Sequence, residues 1–309
     1  MSEETRVLGF VGAVFSVFAL AGFFLVRSVY RRWKRLENRD SKAVRIFSRV
    51  TLGLATLGIL CVTYGFIVEP YWPQVTHQRL VSGKIKSRIR IVHISDIHSD
   101  PKGRLEEKLP SLIAAEKPDF IVYTGDSMNS EDAAPVFLGM LEELTKIGDV
   151  YIARGNWDIG LPNEFFTQTG AKIVDGLVVR TQVRGQKISI SGVRVGNELA
   201  IPVMLEALPA DEFSVFLHHW PDEILEVAAS GKVDLYCAGH THGGQVALPL
   251  YGALITLSRF GKKYEAGLYK VRGTALYVNR GIGMEGGAAF RVRFFARPEI
   301  TVIDLVPQS

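Results

Sequence analysis

The sequence predicts a layered α/β sandwich carried behind a two-helix membrane anchor, on three observations. Two long uncharged apolar stretches open the chain, strand and helix patterns alternate from Ile89, and the second half is rich in strand patterns. The 309 residues, 47% hydrophobic and 22% charged, exclude disordered, collagen-like and coiled-coil classes and leave ample chain for one large core. With only Cys61 and Cys237, a disulfide framework is excluded and a cysteine-built zinc site is disfavoured.

The mean hydropathy of +0.15 is high for a soluble enzyme, and its source is local. Val7–Val26 holds twenty residues without a charge and Val50–Val68 nineteen. At the helical rise per residue, each crosses a hydrocarbon core of ~30 Å. Two transmembrane helices are therefore predicted, at about 7–26 and 48–68, with Cys61 as a small apolar filler in the second. Met1–Arg6 carries two acids and one base, and no small-residue cleavage pattern precedes Arg27, so the first stretch reads as an uncleaved span. Residues 1–70 then form the anchor, 71–88 a linker and 89–309 the main domain. Trp33 on one side, and Tyr64, Tyr71 and Trp72 on the other, are placed as interfacial aromatics.

The net charge of +4 is equally local: residues 70–309 hold 26 Lys and Arg against 27 Asp and Glu. Nine basic residues, Arg27 to Arg49, crowd the loop between the spans. Such a loop needs no nucleic acid to explain it, and none is expected as a partner; the lipid bilayer is. The positive-inside rule puts the loop in the cytoplasm and the main domain outside, although five basic residues from Arg79 to Arg90 pull the other way.

Within the main domain, Ile89 and Ile91 begin a strand that runs into Ser95-Asp96. Leu105, Leu109, Leu112 and Ile113 have helical spacing, and Phe120–Tyr123 is a buried strand ending at Gly125-Asp126. Phe137, Met140, Leu141 and Leu144 define a second helix closed by Gly148; a third strand, Val150–Ala153, ends at Gly155-Asn156. Later strands are predicted at Lys187–Gly192, Phe213–Leu217, Val233–Cys237, Ala275–Val278 and Ile300–Leu305, with a helix between Pro221 and Gly231.

Polar clusters fall at the ends of the first three strands: Asp96-Ile97-His98, Gly125-Asp126 and Gly155-Asn156-Trp157-Asp158. Asp96, Asp126 and Asn156 are thirty residues apart, one strand-helix step each, so all three reach one sheet edge. His218-His219 and Gly239-His240-Thr241-His242 follow two later strands. Aspartates and imidazoles gathered at one site repel or lose solvation without a cation. Oxygen and nitrogen donors without thiolate suit Mn, Fe or Zn.

Asp-x-His, Gly-Asp, Gly-Asn-x-Asp, a His after a strand and Gly-His-Thr-His, in this order, resemble the calcineurin-like metallophosphoesterases over roughly Ile89–Val306. The finer likeness is to a membrane-anchored bacterial branch, YkuE/YaeI-like and similar to UDP-2,3-diacylglucosamine pyrophosphatases. Its marks are Ile67–Pro70, Gly239–Gln245, Asn279–Gly283 and Arg297-Pro298-Glu299. The resemblance implies a four-layer α/β/β/α sandwich in a bacterial inner or plasma membrane, holding two divalent ions, with Mn²⁺ preferred over Fe or Zn. It assigns Asp96, His98 and His242 to one ion and Asn156, His219 and His240 to the other, with Asp126 bridging. Catalysis would rest on Asp126, Asn156 and His240. His219 is chosen over His218 because the branch pattern His-x-Pro-Asp matches His219–Asp222.

The implied activity is hydrolysis of a lipid-linked phosphodiester or pyrophosphate. UDP-2,3-diacylglucosamine, cleaved to lipid X and UMP, is the named candidate, although a UDP-sugar is cytoplasmic. The alternatives are an exported phosphodiesterase or phosphatase acting on envelope phosphates, and a non-catalytic metal-binding scaffold. Trp157 stands where most of the family has a histidine that helps protonate the leaving oxygen or hold the phosphate, and indole has no titrating proton. Substrates that leave as a phosphate should therefore suffer less than those that leave as an alkoxide. Two readings of Trp157 stay open, a rim aromatic or a surface for a base or acyl chain. Arg280 reads either as a phosphate contact or as a salt bridge. Asp158 and His218 read as supports behind the ligands. His93 reads as a core histidine, His77 as solvated, and Gly283–Gly287 as a rim loop.

Overall fold

The computed structural model describes residues 3–37, 39–286 and 291–308, and the chain divides into two compact units at Val68/Glu69. In the first unit, α1 (Glu3–Trp33) and α2 (Lys42–Ile67) are both long and apolar enough to cross a membrane. Each outruns its expected span because the flanking Arg- and Lys-bearing segments contain no Pro or Gly to stop the helix. Phe15, Phe23, Leu57 and Leu60 are exposed, while the hydroxyls of Ser16, Thr51 and Thr56 bond the carbonyl four residues back. Such bonding keeps polar atoms satisfied in an apolar medium. Ser41 caps α2 by accepting from the Val44 N–H, and Asp40 pairs with Arg31 at 2.7 Å.

The second unit begins with a correction. The stretch expected as a linker, 71–88, contains an edge strand, β1 (Gln74–Ser82), paired parallel to the last strand of the chain. Its polar, half-exposed sequence lacks the apolar run that marks the central strands. The chain continues through β2 (Ile89–Ile94), α3 (Leu109–Ala115), β3 (Phe120–Tyr123), α4 (Ala134–Ile147), β4 (Val150–Ile152), α5 (Asn163–Thr167) and β5 (Lys172–Ile173). A second run holds β6 (Leu177–Val183), β7 (Gln186–Gly192), α6 (Ile201–Ala207), β8 (Phe213–Leu217), α7 (Ile224–Ala229) and β9 (Leu235–Ala238). A small hairpin of β10 (Ala247–Leu248) and β11 (Gly252–Ala253) precedes β12 (Gly267–Val271), β13 (Thr274–Val278) and β14 (Glu299–Pro307).

Two six-stranded sheets result, ordered β1-β14-β2-β3-β4-β5 and β12-β13-β9-β8-β7-β6. The period of two along each strand divides the side chains between two cores. Ile89 and Ile91 of β2 face Val215 and Leu217 of β8 in an inter-sheet core that also buries Cys237. Val92 and Ile94 point outward and meet Phe137, Leu141 and Leu144 of α4. Phe216 and Tyr236 on the other sheet meet Leu205, Ile224 and Val227 of α6 and α7. The layering is therefore helix, sheet, sheet, helix.

Basic residues expected to flank the second span are ion-paired inside this unit. Lys84 pairs with Asp234 at 2.9 Å, and Arg88 and Arg90 both pair with Asp304. Glu69, at the start of the unit, is buried and accepts the Phe295 and Ala296 N–H groups at 3.0 and 2.6 Å. Removing it strands two backbone donors, that of Ala296 buried and that of Phe295 partly so. Glu69→Ala should cost roughly 1–3 kcal/mol, seen as a lower Tm of the detergent-solubilised full chain; an unchanged Tm would contradict this packing role.

Candidate metal centre

The site is assembled where strands of both sheets end. Asp96 and His98 follow β2, Asp126 follows β3, Asn156 follows β4, His219 follows β8, and His240 and His242 follow β9. Five of these, Asp96, His98, Asp126, His240 and His242, hold positive φ between 42° and 70°. This region is unfavourable for residues with a Cβ, and strain of this kind concentrates at functional sites. It is fixed by cross-loop hydrogen bonds: Asp96 N–H to the Gly125 carbonyl, His98 N–H to the Asp126 carbonyl, and His240 N–H to both Asp96 carboxylate oxygens. Gly239 is required because a Cβ there would strike Ser95 and Asp96, and Gly155 because a Cβ would strike the Asp126 carboxylate.

Two triads result: Asp96, His98 and His242, and Asp126, His219 and His240, each with its ligand atoms within 4.8 Å of one another. The His242 Nε2 lies 3.2 Å from Asp96 Oδ1. The His219 Nε2 lies 3.2 Å from Asp126 Oδ2 and 3.9 Å from Asp96 Oδ1, and the His98 Nε2 lies 3.5 Å from Asp126 Oδ2. Asp126 thus stands between the two groups.

The imidazoles are oriented from behind. His219 Nδ1–H donates to the Thr124 carbonyl at 2.6 Å, His98 Nδ1–H to Asn129 Oδ1 at 3.1 Å, and His240 Nε2–H to the Leu257 carbonyl at 3.3 Å. The inward Nε2 atoms of His98 and His219 are buried and have no hydrogen-bond partner. That orphaning, with an all oxygen-and-nitrogen donor set, fits a pair of divalent cations. Asn156 stands beside the second triad; its Oδ1 accepts the Trp220 indole N–H at 3.2 Å and keeps a second lone pair for a cation.

Burial and the neighbouring Asp126 charge push the Asp96 carboxyl up to about 7, against His219. Asp126 is held down to about 2 although burial opposes it, by His219 and His98. Burial also works against a charge on His219, yet Asp126 and Asp96 hold its ring cationic up to about 10. Burial drives His98 down to about 4 and His240 to about 3, so both present neutral imidazole.

The supporting residues take distinct places. Asp158 is buried and accepts the N–H groups of Asp126, Ser127 and Gly155, each at 2.9 Å, locking two ligand loops together. His218 and His219 point opposite ways, as neighbours at a strand end do. His218 Nδ1–H donates to the Val193 carbonyl at 2.7 Å, outside both triads. His93 is buried in β2 against Thr124 at 2.9 Å, and His77 is exposed beside Glu116. Trp157 sets its ring edge-on to His98 at 5.4 Å, and its backbone N–H donates to Asp126 Oδ1. Arg280 is ion-paired. Its Nε lies 3.2 Å from Glu299 and its Nη2 donates to Gln74, because the buried Glu299 carboxylate needs a counter-charge. Of the rim 283–287, Gly287 lies outside the described residues.

Sequence reasoning missed Asn129 and Arg293. Neither sits in a motif: Asn129 is three residues beyond Asp126, and Arg293 lies in irregular chain. Arg293 is fully buried and donates to the carbonyls of Gly283, Arg280 and Ala296, with one nitrogen 3.4 Å from His242 Nδ1.

Ligation needs His219 neutral and Asp96 ionised, so metal uptake must release protons and strengthen as pH rises. Calorimetry of Mn²⁺ binding at pH 7, in buffers of different ionisation enthalpy, should show at least about one proton released. Affinity should weaken as pH falls from 8 to 6; pH-independent uptake without proton release would contradict this electrostatic picture.

Residues 89–244 match the calcineurin-like phosphoesterase family. The chain is 32% identical over 279 residues to the uncharacterized metallophosphoesterase YkuE of Bacillus subtilis, covering 84% of this chain and 94% of that protein. It is 27% identical over 272 residues to the phosphodiesterase YaeI of Escherichia coli, covering 82% of this chain and 97% of that protein. A family match across half of the chain, and likeness to YkuE over most of it, place the triads in a known setting: the chain belongs to the calcineurin-like phosphoesterases, as a hydrolase related to the YkuE/YaeI-type metallophosphoesterases of bacteria.

Proposed function

We propose that the chain is a membrane-anchored phosphodiesterase or pyrophosphatase acting on a lipid-linked phosphate, with Mn²⁺ as its resident ion. Two cations held by Asp96, His98 and His242, and by Asp126, His219, His240 and Asn156, would supply Lewis-acid charge to the phosphoryl oxygens and a water nucleophile at neutral pH. The chain's own residues fix the donors: Asp158 sets the Asp126 and Gly155 loops, while Thr124, Asn129 and Leu257 aim the imidazoles.

The observation that carries the lipid-linked reading is the pair of apolar helices, each long enough to cross a membrane, that precedes the site-bearing unit. Glu69, the second residue after α2, holds the N–H groups of Phe295 and Ala296, and Arg293 in the same segment reaches His242. The same unit also exposes large apolar side chains, one of them next to a ligand. Leu257, whose carbonyl holds His240, is exposed, as are Leu250, Ile255 and Phe295. Nearby, Arg297 lies 4.0 Å over the Trp72 ring, an aromatic-cation pair suited to a headgroup layer. An anchored enzyme meets an acylated substrate at raised effective concentration. UDP-2,3-diacylglucosamine, cleaved to lipid X and UMP, combines acyl chains with a pyrophosphate leaving as a phosphate, which suits Trp157.

One observation favours a second reading, an exported phosphodiesterase acting on envelope phosphates. The nine basic residues between the spans outweigh the domain side, where Lys84, Arg88 and Arg90 serve ion pairs within the domain. An alkaline-phosphatase fusion after Ser309 separates the two: activity in the periplasm would exclude the UDP-sugar.

For the chemistry, purified Mn²⁺-loaded protein should turn over bis-p-nitrophenyl phosphate and a pyrophosphate substrate well above an alkyl phosphomonoester. His240→Ala should lower turnover by more than the roughly 10–100-fold typical of a lost supporting partner of a ligand. Folded, metal-loaded but inert protein would instead favour a binding scaffold.

A further inference from the structure

We propose that Glu285 donates the proton to the departing oxygen, the task for which position 157 offers only an indole. This role rests on the phosphodiester-hydrolase reading above.

Phosphodiester hydrolysis needs a proton at the leaving oxygen, from a group beside the centre that is neither a ligand nor committed to a charged partner or to backbone N–H groups. The other acids around the two triads are engaged. Asp158 accepts three backbone N–H groups. Asp100 holds Arg104 and Asn129, and Glu299 holds Arg280 and Tyr277. His218 is fully buried on the Val193 carbonyl, away from any substrate path.

Glu285 differs in position and in restraint. Its backbone N–H donates to Gln245 Oε1 at 2.6 Å, and the next N–H, of Gly286, donates to Asn129 Oδ1, the same oxygen that orients His98. The Met284 carbonyl accepts from Asn129 Nδ2, and the Gly283 N–H donates to the Asp96 carbonyl. The segment 283–286 is thus stitched to the loops of both triads, and this fixes where the Glu285 carboxyl starts. That carboxyl is half-buried, faces the Trp157 indole N–H, and lies within the field of Asp126 and His219. Burial and the Asp126 charge raise its proton affinity, while the indole and His219 oppose. A half-buried acid on a segment tied to the ligand loops can give up a proton and regain it from solvent.

In the step, the water oxygen forms a bond to phosphorus and the bond from phosphorus to the leaving oxygen breaks. The Glu285 carboxylic proton passes to that oxygen. The water's proton goes to solvent, and solvent reprotonates the carboxylate.

The test varies the leaving group at constant phosphodiester geometry, in the full-length Mn²⁺-loaded protein. Ethyl p-nitrophenyl phosphate departs as a stable anion, whereas ethyl phenyl phosphate departs as phenol, which titrates near ~10 as tyrosine does. Glu285→Gln should lower kcat on the phenyl ester by about 10²-fold or more, and on the nitrophenyl ester by far less. It should also remove the high-pH limb of the kcat profile for the phenyl ester, while Glu285→Asp restores part of both. Metal content and Tm should match the parent protein. Equal losses on the two esters, no loss on either, or a fall in bound metal would overturn the role and leave the phosphodiesterase reading standing. A parent protein inert toward both esters would sink that reading and this role together.

Discussion

Everything in the globular unit answers to one constraint: two buried carboxylates, Asp96 and Asp126, are held against four imidazoles with almost no water around them. Charge in such a place is unfavourable unless an opposite charge shares it. The protein alone answers by loading a proton on His219; a pair of cations answers better, since it also fills the orphaned His98 and His219 nitrogens. Because the ligands come from both sheets, the strand ends must stay flush. Asn279 is one clamp: its amide donates to the His93 carbonyl and Thr301 in one sheet, while its backbone N–H donates to the Ala238 carbonyl in the other.

The cost of this geometry falls on the loops. Five ligand residues occupy the left-handed region, and two glycines are needed where the chain passes too near a carboxylate for any Cβ. Short buried strands, each pinned by a core on both faces, hold that strain in place. The same reasoning explains the second rank of polar residues. Asp158 and Asn129 touch no candidate ion, yet each spans two loops, so either loss would loosen several ligands together.

Much of this was legible in the sequence because the central strands are apolar runs that end in polar clusters. Phe120–Tyr123 and Phe213–Leu217 are read without error from composition alone, and the thirty-residue spacing of Asp96, Asp126 and Asn156 follows from one strand-helix step each. The edges were not legible. β1 is polar and half-exposed, and its partner β14 lies more than two hundred residues away, so no local pattern announces it. The choice of His219 over His218 came from a motif, but its physical basis is the alternation of neighbours at the end of β8. Arg280 shows a similar limit: its neighbouring glycines are visible in the sequence, and its ion pair with Glu299 only in the fold.

Arg293 draws these threads together. A buried guanidinium beside metal ligands adds repulsion, and burial lowers its pKa to about 9 against the pull of Asp96. The fold keeps it because each of its nitrogens donates to a carbonyl, of Gly283, Arg280 or Ala296, which pins the irregular chain that carries Glu285. A further contact, 3.4 Å to His242 Nδ1, sets its positive charge against a second proton on that ring. Glu69 grips the same segment immediately after the apolar helices. Within the globular unit, one chain of contacts therefore runs from Glu69, through a buried cation, to a candidate ligand, and the segment it fixes also holds the proposed proton donor.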